Sequence, residues 1–370
     1  MKKQPLAIFV AWHPDLQDGE DLANLVFREF KRNVTEPLAR GMNIPVFFRY
    51  TSPLLDIPDE YEFTVVVALI DSSFKLDSEY RDFLQQCSKR SSKKFLLIPC
   101  AWERNVLDIP LHNKNFARFY DRTKPREYLV EVIAHEAARH LYGFERISAS
   151  QLVAPPPPLK LFISHAKADG VTIASSIKAY VEKSHALKTF FDANDIAIGY
   201  DFSDEIERHI QDAVIIAIHT DLYSTREWCR REVLLAKQHN RPIVVLNCLH
   251  QGESRSFPYM ANVLTVHFPS LGLAEFDDTE TWGRLLSAVL KETLRLKYLE
   301  LWIAFVIQQK GILVNKHSIS AYPPELVTVL TKMSTLNNQF IYPDPPLGSE
   351  ELALLSMLNP AIRYQTPSAL

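Results

Sequence analysis

The chain has 370 residues, of which 47% are hydrophobic, and its 41 Lys and Arg against 44 Asp and Glu give a formal net charge of −3. This near-neutral balance gives no electrostatic reason to expect nucleic acid or an anionic membrane as a partner. Its 10 glycines lie no closer together than Gly272 and Gly283, and because a phosphate-cradling loop needs clustered glycines, P-loop NTPases and G-x-G-x-x-G dehydrogenases are excluded.

In the first 146 residues, short apolar runs alternate with segments of helical periodicity. The predicted strands are Leu6–Ala11, Val46–Tyr50, Phe63–Ile70 and Phe95–Pro99, and the predicted helices are Asp21–Phe30, Ser78–Cys87 and Arg126–Leu141. Continuous apolar strands separated by amphipathic helices indicate a parallel sheet covered on both faces. We therefore predict a flavodoxin-like α/β domain over residues 1–146.

A proline-rich segment, residues 147–158, separates this domain from a second one. The run Pro155–Pro158 favours a stiff, extended spacer. After it the same rhythm returns over residues 159–296. The predicted strands are Phe162–Ser164, Thr189–Phe191, Val214–Ile218, Ile243–Leu246 and Leu264–Phe268, and the predicted helices are Val171–Glu182, Phe202–Gln211, Arg226–His239 and Thr281–Leu296. Because Ile8–His13 is similar to Leu161–His165, the two flavodoxin-like domains are consistent with a duplication.

The last 74 residues, 297–370, differ from both domains. Tyr298–Gln308 is apolar and aromatic, and Tyr-Pro sequences follow at Tyr322 and Tyr342. We predict a mostly helical or irregular extension that packs against a domain and does not form its own sheet.

Cysteine spacing and hydropathy indicate the compartment. No run of about 18 predominantly apolar residues, the length of a membrane-spanning helix, occurs in the sequence. The cysteines Cys87, Cys100, Cys229 and Cys248 form no C-x-x-C pair and are typical of reduced thiols. We therefore predict a cytoplasmic protein without a membrane partner.

The strongest local signal is the run Ser224–Glu232. Ser224 followed three residues later by Glu227 matches a capping box and predicts a helix start there. Trp228 and Glu232 lie four residues apart, hence on one helical face, near the end of the sheet where open α/β folds bind ligands. A carboxylate beside an indole in that crevice is partly desolvated, so its charge would interact strongly with a developing cation. The alternative is an exposed helix face where Glu232 pairs with Arg230 or Arg231.

Four segments in this region carry a family resemblance. Residues 160–169 (KLFISHAKAD), residues 190–199 (FFDANDIAIG), the helix with Trp228 and Glu232, and residues 241–246 (RPIVVL) follow in the order and spacing of a bacterial Toll/interleukin receptor (TIR) domain. The resemblance implies that Glu232 is the catalytic residue of an NAD-cleaving enzyme. It also implies that residues 190–199 form the family's BB loop, which packs against a neighbouring copy.

The implied chemistry suits a single carboxylate. Breaking the nicotinamide–ribose bond builds positive charge on the ribose in an oxocarbenium-like transition state, which one carboxylate can stabilise. NAD+ is then the substrate, and we expect no separate cofactor and no metal. The predicted NAD-contacting residues are Ser164, His165, Lys167, Trp228 and Asp192. The alternative for His165 is a solvated imidazole in a loop. Trp228 either stacks on a substrate ring or serves as a core aromatic, and Asp192 either binds substrate or fixes a turn.

The first domain lacks the equivalent signal. Its corresponding segment, Asp77–Phe83, has no tryptophan and no Glu four residues after an aromatic residue. We interpret it as a degenerate TIR-like module with a regulatory or docking role, the alternative being an unrelated Rossmann-like sensor of a nucleotide signal. His135 and His140 resemble a zincin motif, but a five-residue step places them about 140° apart around a helix, too far to share one zinc.

The sequence therefore predicts an NAD+ glycohydrolase effector that releases nicotinamide and ADP-ribose, or a cyclised form. By resemblance it acts in antiphage defence, and self-association through TIR domains, an activating ligand or a sensor protein switches it on. The competing hypothesis is a non-enzymatic TIR scaffold that signals through TIR–TIR contacts. A pure scaffold has no physical need for a carboxylate in the crevice, so Glu232 separates the two.

Overall fold

The computed structural model describes residues 4–31, 41–90, 92, 94–109, 111, 114–146, 156–183, 189–192, 202–252, 257–268, 278–313, 317–333 and 338–370. The chain divides into two compact units, Met1–Pro156 and Pro157–Leu370. Residues 147–155 of the predicted linker and residues 193–199 of the predicted BB loop lie outside the described residues.

The first unit contains a five-stranded parallel sheet in the order β2-β1-β3-β4-β5. Its strands are β1 (Gln4–Trp12), β2 (Val46–Arg49), β3 (Tyr61–Ile70), β4 (Phe95–Ala101) and β5 (Ala117–Arg118). Its helices are α1 (Gly19–Phe30), α2 (Ser72–Leu76), α3 (Ser78–Arg90) and α4 (Pro125–Arg146). The central strands β1 and β3 are buried along nearly their whole length, as expected of a parallel sheet covered on both faces.

The second unit begins with a sheet of the same design, in the order β10-β9-β8-β6-β7. Its strands are β6 (Lys160–His165), β7 (Thr189–Asp192), β8 (Ala213–His219), β9 (Ile243–Asn247) and β10 (Leu264–His267). Its helices are α5 (Val171–Lys183), α6 (Phe202–Ile210), α7 (Glu227–Gln238) and α8 (Asp278–Gln309). Both sheets place the first strand between the second and the third, so the prediction of two flavodoxin-like parallel-sheet domains is confirmed.

The C-terminal extension contains a three-stranded parallel sheet in the order β11-β12-β13. Its elements are β11 (Ser318–Ile319), α9 (Leu326–Met333), β12 (Gln339–Ile341), α10 (Ser349–Leu358) and β13 (Arg363–Gln365). The prediction that this segment forms no sheet of its own was wrong, because strands of two or three residues are too short to show a periodic apolar signal. Ile303 and Ile307 of α8 pack with Ile341 of β12 and tie the small sheet to the preceding helix.

Within the described residues, no helix has both the length and the apolar character that crossing a membrane requires.

Candidate active site at the carboxyl end of the second sheet

The ends of two central strands and the start of α7 position the candidate site. Strand β6 pairs with β8 so that Ser164 lies opposite Ala217. After β8 the chain makes a short 3₁₀ turn, Tyr223–Thr225, before α7 begins at Glu227. The predicted capping box was wrong: Ser224 belongs to the 3₁₀ turn, and α7 starts after Arg226 without a side-chain cap.

Three polar side chains meet at this place. The Ser164 hydroxyl donates a hydrogen bond to Oε2 of Glu232, and its oxygen lies 2.6 Å from the Tyr223 hydroxyl. Ser164 is 1% exposed, Tyr223 0% and Glu232 4%. Glu232 therefore lies in the interior and not on an exposed helix face beside Arg230 and Arg231, which excludes that alternative.

Two titratable neighbours of Glu232, Tyr223 and Cys229, have pKa values raised by burial. Burial raises the pKa of Tyr223 well above its ordinary value, and the nearby Cys229 and Glu232 act in the same direction. Burial, followed by the charge of Glu232, raises the pKa of the Cys229 thiol to about 12. The carboxylate thus faces hydroxyl and thiol groups in a site of low polarity, where a charge acts strongly on a nearby ligand.

Trp228 lies on the first turn of α7, close to the outside of the domain. Its side chain is 40% exposed, and the Arg231 guanidinium carbon lies 5.0 Å from the centre of its ring. Such a distance is typical of a cation–π contact. The exposure excludes the alternative in which Trp228 is a core aromatic.

The remaining predicted contacts surround the strand ends. His165 is half-buried with Nδ1 3.3 Å from the carbonyl oxygen of Ile163, and Lys167 is exposed. Asp192 ends β7, where its backbone pairs with Ile163, while its side chain lies outside the described residues. Contacts of these residues with a dinucleotide stay predictions.

Two aspartates that the sequence analysis missed fix the turn after β8. Asp169 accepts hydrogen bonds from the Thr220 hydroxyl at 2.8 Å and the Leu222 amide at 3.0 Å. Asp221 accepts hydrogen bonds from three consecutive backbone amides, those of residues 250–252, and these bonds lower the pKa of its carboxyl group. Together they hold the segment that carries Tyr223, which was also missed. A tyrosine four residues after the end of a buried strand was the available signal.

The described residues contain no group of three or more His, Cys, Asp or Glu side chains that could hold a metal ion. In the zincin-like segment of α4, His135 Nδ1 instead lies 3.0 Å from Oε1 of Glu136.

The first unit has the same strand pairing with different side chains, although an α-helix, α2, stands where the second unit has the 3₁₀ turn. Ala11 of β1 pairs with Ala68 of β3, as Ser164 of β6 pairs with Ala217 of β8. Counting six and fifteen residues onward reaches Phe74 and Phe83 from Ala68, and Tyr223 and Glu232 from Ala217. Ala11, Phe74 and Phe83 belong to one buried apolar cluster. The first unit therefore has apolar groups at all three positions of the polar site.

Two comparisons with known proteins find a match within the second unit or the chain, and a third finds none. Residues 161–285 match the model of the TIR domain family. Among solved structures, one match is the set of TIR domains in the structure of the activated Roq1 resistosome directly recognizing the pathogen effector XopQ, at 15% identity and a TM-score of 0.23, covering 36% of this chain and 83% of that chain. A comparison with curated proteins finds no match.

Proposed function

We propose that the TIR domain formed by residues 161–285 cleaves the nicotinamide–ribose bond of NAD+, giving nicotinamide and ADP-ribose or a cyclised form, with Glu232 as the catalytic residue. The observation that carries the proposal is the buried Glu232 carboxylate, hydrogen-bonded to Ser164 at the carboxyl end of a parallel sheet. Ligands of open α/β sheets bind at that end.

The chemistry follows from the position of the charge. As the bond to nicotinamide lengthens, positive charge develops on the ribose, while nicotinamide leaves as a neutral molecule. A carboxylate in a site of low polarity stabilises that cation more than water does, because its environment is already arranged before the reaction. Water or a hydroxyl of the substrate then captures the ribose, which gives the hydrolysed or the cyclised product.

The rim of the site supplies groups that suit the rest of the dinucleotide. The partly exposed ring of Trp228 offers a stacking surface for nicotinamide or adenine. Exposed Lys167 provides positive charge for the diphosphate, and His165 and Asp192 flank the same strand ends. We assign these residues to substrate binding.

The proposal includes activation by self-association in antiphage defence. With Glu232 only 4% exposed in the single chain, a substrate reaches the carboxylate only after the surrounding groups rearrange. Contact with a second TIR domain, an activating ligand or a sensor protein would provide that change. Release of nicotinamide per molecule is then expected to rise with protein concentration.

The test is nicotinamide release from NAD+ by the full-length protein at several concentrations, with and without crowding agents or infected-cell extract. We expect Glu232→Gln and Glu232→Ala to lower the rate by about 10²–10³-fold, the scale seen when one preorganised electrostatic group is removed. Glu227→Gln is the matched control, because Glu227 is an exposed carboxylate on the same helix. Equal rates for wild type and both Glu232 variants under activating conditions would contradict the assignment.

Two further readouts separate the alternatives. Mass spectrometry of the ADP-ribose product distinguishes hydrolysis from cyclisation. A non-enzymatic scaffold predicts that self-association occurs without nicotinamide release under any activating condition, and that Glu232→Gln leaves association unchanged.

A further inference from the structure

The three hydroxyl and carboxyl groups of the site form a chain with one direction. An ionised carboxylate only accepts hydrogen bonds, so Ser164 donates its hydroxyl proton to Glu232 Oε2. The Ser164 oxygen, 2.6 Å from the Tyr223 hydroxyl, is then the acceptor of the Tyr223 proton. The order of donation is therefore Tyr223 to Ser164 to Glu232.

Burial keeps the first donor of this chain, Tyr223, protonated. Tyr223 is fully buried, and burial raises its pKa well above the ordinary value, so the phenol keeps its proton. Other titratable or charged groups placed nearby include Cys229, whose pKa burial raises to about 12, Arg226, whose positive charge acts on Cys229, and His219, whose ring lies 6.0 Å from that of Tyr223. Tyr223 consequently acts as a constant donor across the physiological range.

The first unit shows that the fold does not need these hydroxyls. Phe74 occupies the position equivalent to Tyr223 and is also fully buried, and Ala11 replaces Ser164. Phe83 replaces Glu232, so all three polar groups are absent together. In the two units the tyrosine hydroxyl and the carboxylate are thus present together or absent together.

We propose that Tyr223 is a positioning residue which, through Ser164, holds the Glu232 carboxylate in one orientation and favours its ionised form. This inference rests on the proposed function for its kinetic readout. Hydrogen bonding to the charged form of an acid favours that form. Because Tyr223 acts through Ser164, removing its hydroxyl matters only while Ser164 is present.

A double-mutant cycle tests the proposal on the full-length chain with Tyr223→Phe, Ser164→Ala and the combined variant. We expect Tyr223→Phe to lower kcat for nicotinamide release about tenfold with little change in KM, as for a group that acts on the reacting centre. The combined variant should be no slower than Ser164→Ala. Tyr80→Phe is the matched control, since Tyr80 is a buried tyrosine of the first unit that donates to the Tyr50 carbonyl oxygen at 2.7 Å.

A second measurement needs no turnover. In protein labelled with ¹³C at the glutamate carboxyl carbon, with the Glu232 signal assigned by Glu232→Gln, the titration midpoint of Glu232 should move to higher pH in Tyr223→Phe. It should not move further when that change is added to Ser164→Ala. Equal midpoints in wild type and Tyr223→Phe, or losses that multiply in the combined variant, would overturn the inference. Absence of nicotinamide release with a shifted midpoint would instead overturn the proposed function alone.

Discussion

The effect of burial on the pKa of a carboxyl group depends on which protein groups surround it in place of water. Glu131 of α4 is 8% exposed, and burial, followed by repulsion from Glu127, raises its pKa to about 7, against a smaller opposing effect of Arg122. A carboxyl group with a raised pKa binds its proton more tightly in the folded than in the unfolded chain. Stability contributed by the neutral form is therefore present at low pH and lost as pH rises from about 4.5 through about 7.

Replacing Glu131 by the neutral isostere Gln should remove this loss. We expect Glu131→Gln to stabilise the first unit by about 3 kcal/mol at pH 8, the approximate equivalent of the pKa shift, and to have little effect at pH 4.5. Thermal unfolding at the two pH values measures the difference. A stabilisation of the same size at both values would contradict the titration argument, and Glu127→Gln, which removes only the neighbouring charge, should show a smaller effect with the same sign.

At the level of residues, spacing in the sequence predicted Glu232 and Trp228 as members of one site, while the structure separates their roles. Glu232 points into the interior and Trp228 lies at the surface. Helical periodicity cannot distinguish two residues four apart, because they differ by only about 40° around the axis. Tyr223 was missed because its importance comes from Ser164, which is 59 residues away in the chain.

Helix α7 links the candidate site to the C-terminal extension. It carries Glu232 and, five residues later, Lys237, which is fully buried. Lys237 Nζ lies 2.8 Å from Oε1 of Glu325 and 5.2 Å from the centre of the Tyr322 ring. A buried ammonium group needs such partners to offset its lost hydration. The contact therefore fixes the segment before α9 against the helix that carries the candidate catalytic residue.

Breaking this ion pair should destabilise the second unit. We expect Lys237→Met, which keeps the bulk but leaves Glu325 unpaired, to cost about 2–3 kcal/mol. For a domain of this size that cost lowers the unfolding temperature by about 5–10 °C, measured by calorimetry. Lys160→Met is the control, because Lys160 and its partner Asp212 are 32% and 28% exposed and such pairs contribute less than about 1 kcal/mol.

The double variant Lys237→Met with Glu325→Gln completes this test. Removing both charges avoids an unpaired carboxylate, so part of the lost stability should return. An unfolding temperature for Lys237→Met equal to that of Lys160→Met would show that the buried pair does not hold the extension.

At the level of elements, long strands were predicted from the sequence and very short strands were not. The strands β1, β3 and β8 span seven to ten residues of nearly continuous apolar sequence and were predicted within two residues of their ends. The two-residue strands β5 and β11 were missed, because their pairing depends on neighbours already in place. The sequence had suggested that the last helix of the second domain ends at residue 296, but α8 continues to Gln309. The apolar pattern runs on through residue 296, so the end of the domain was mistaken for the end of the helix.

At the scale of the whole molecule, the chain contains the same sheet order twice, but the two sheets carry different side chains at the ends of their strands. Each unit buries an apolar core beneath a parallel sheet, and only the second has a carboxylate at the position of Glu232. The absence of the tryptophan and glutamate spacing in the first domain indicated this difference in the sequence. The replacement of Ser164 and Tyr223 by Ala11 and Phe74 became visible only once strand register aligned the two units.

Because only the second unit has a carboxylate at this position, we can predict how much activity of the full-length protein depends on Glu232. If both units had an equally active site, Glu232→Gln would leave about half of the nicotinamide release of wild type. If only the second unit has an active site, the remaining rate is about 10²–10³-fold below wild type. We expect the second result, because Phe83 has no charge to stabilise a ribosyl cation. Asp82→Asn, next to Phe83 on an exposed position of α3, should leave the rate unchanged. A half-maximal rate in Glu232→Gln would show that the first unit has a catalytic group of its own.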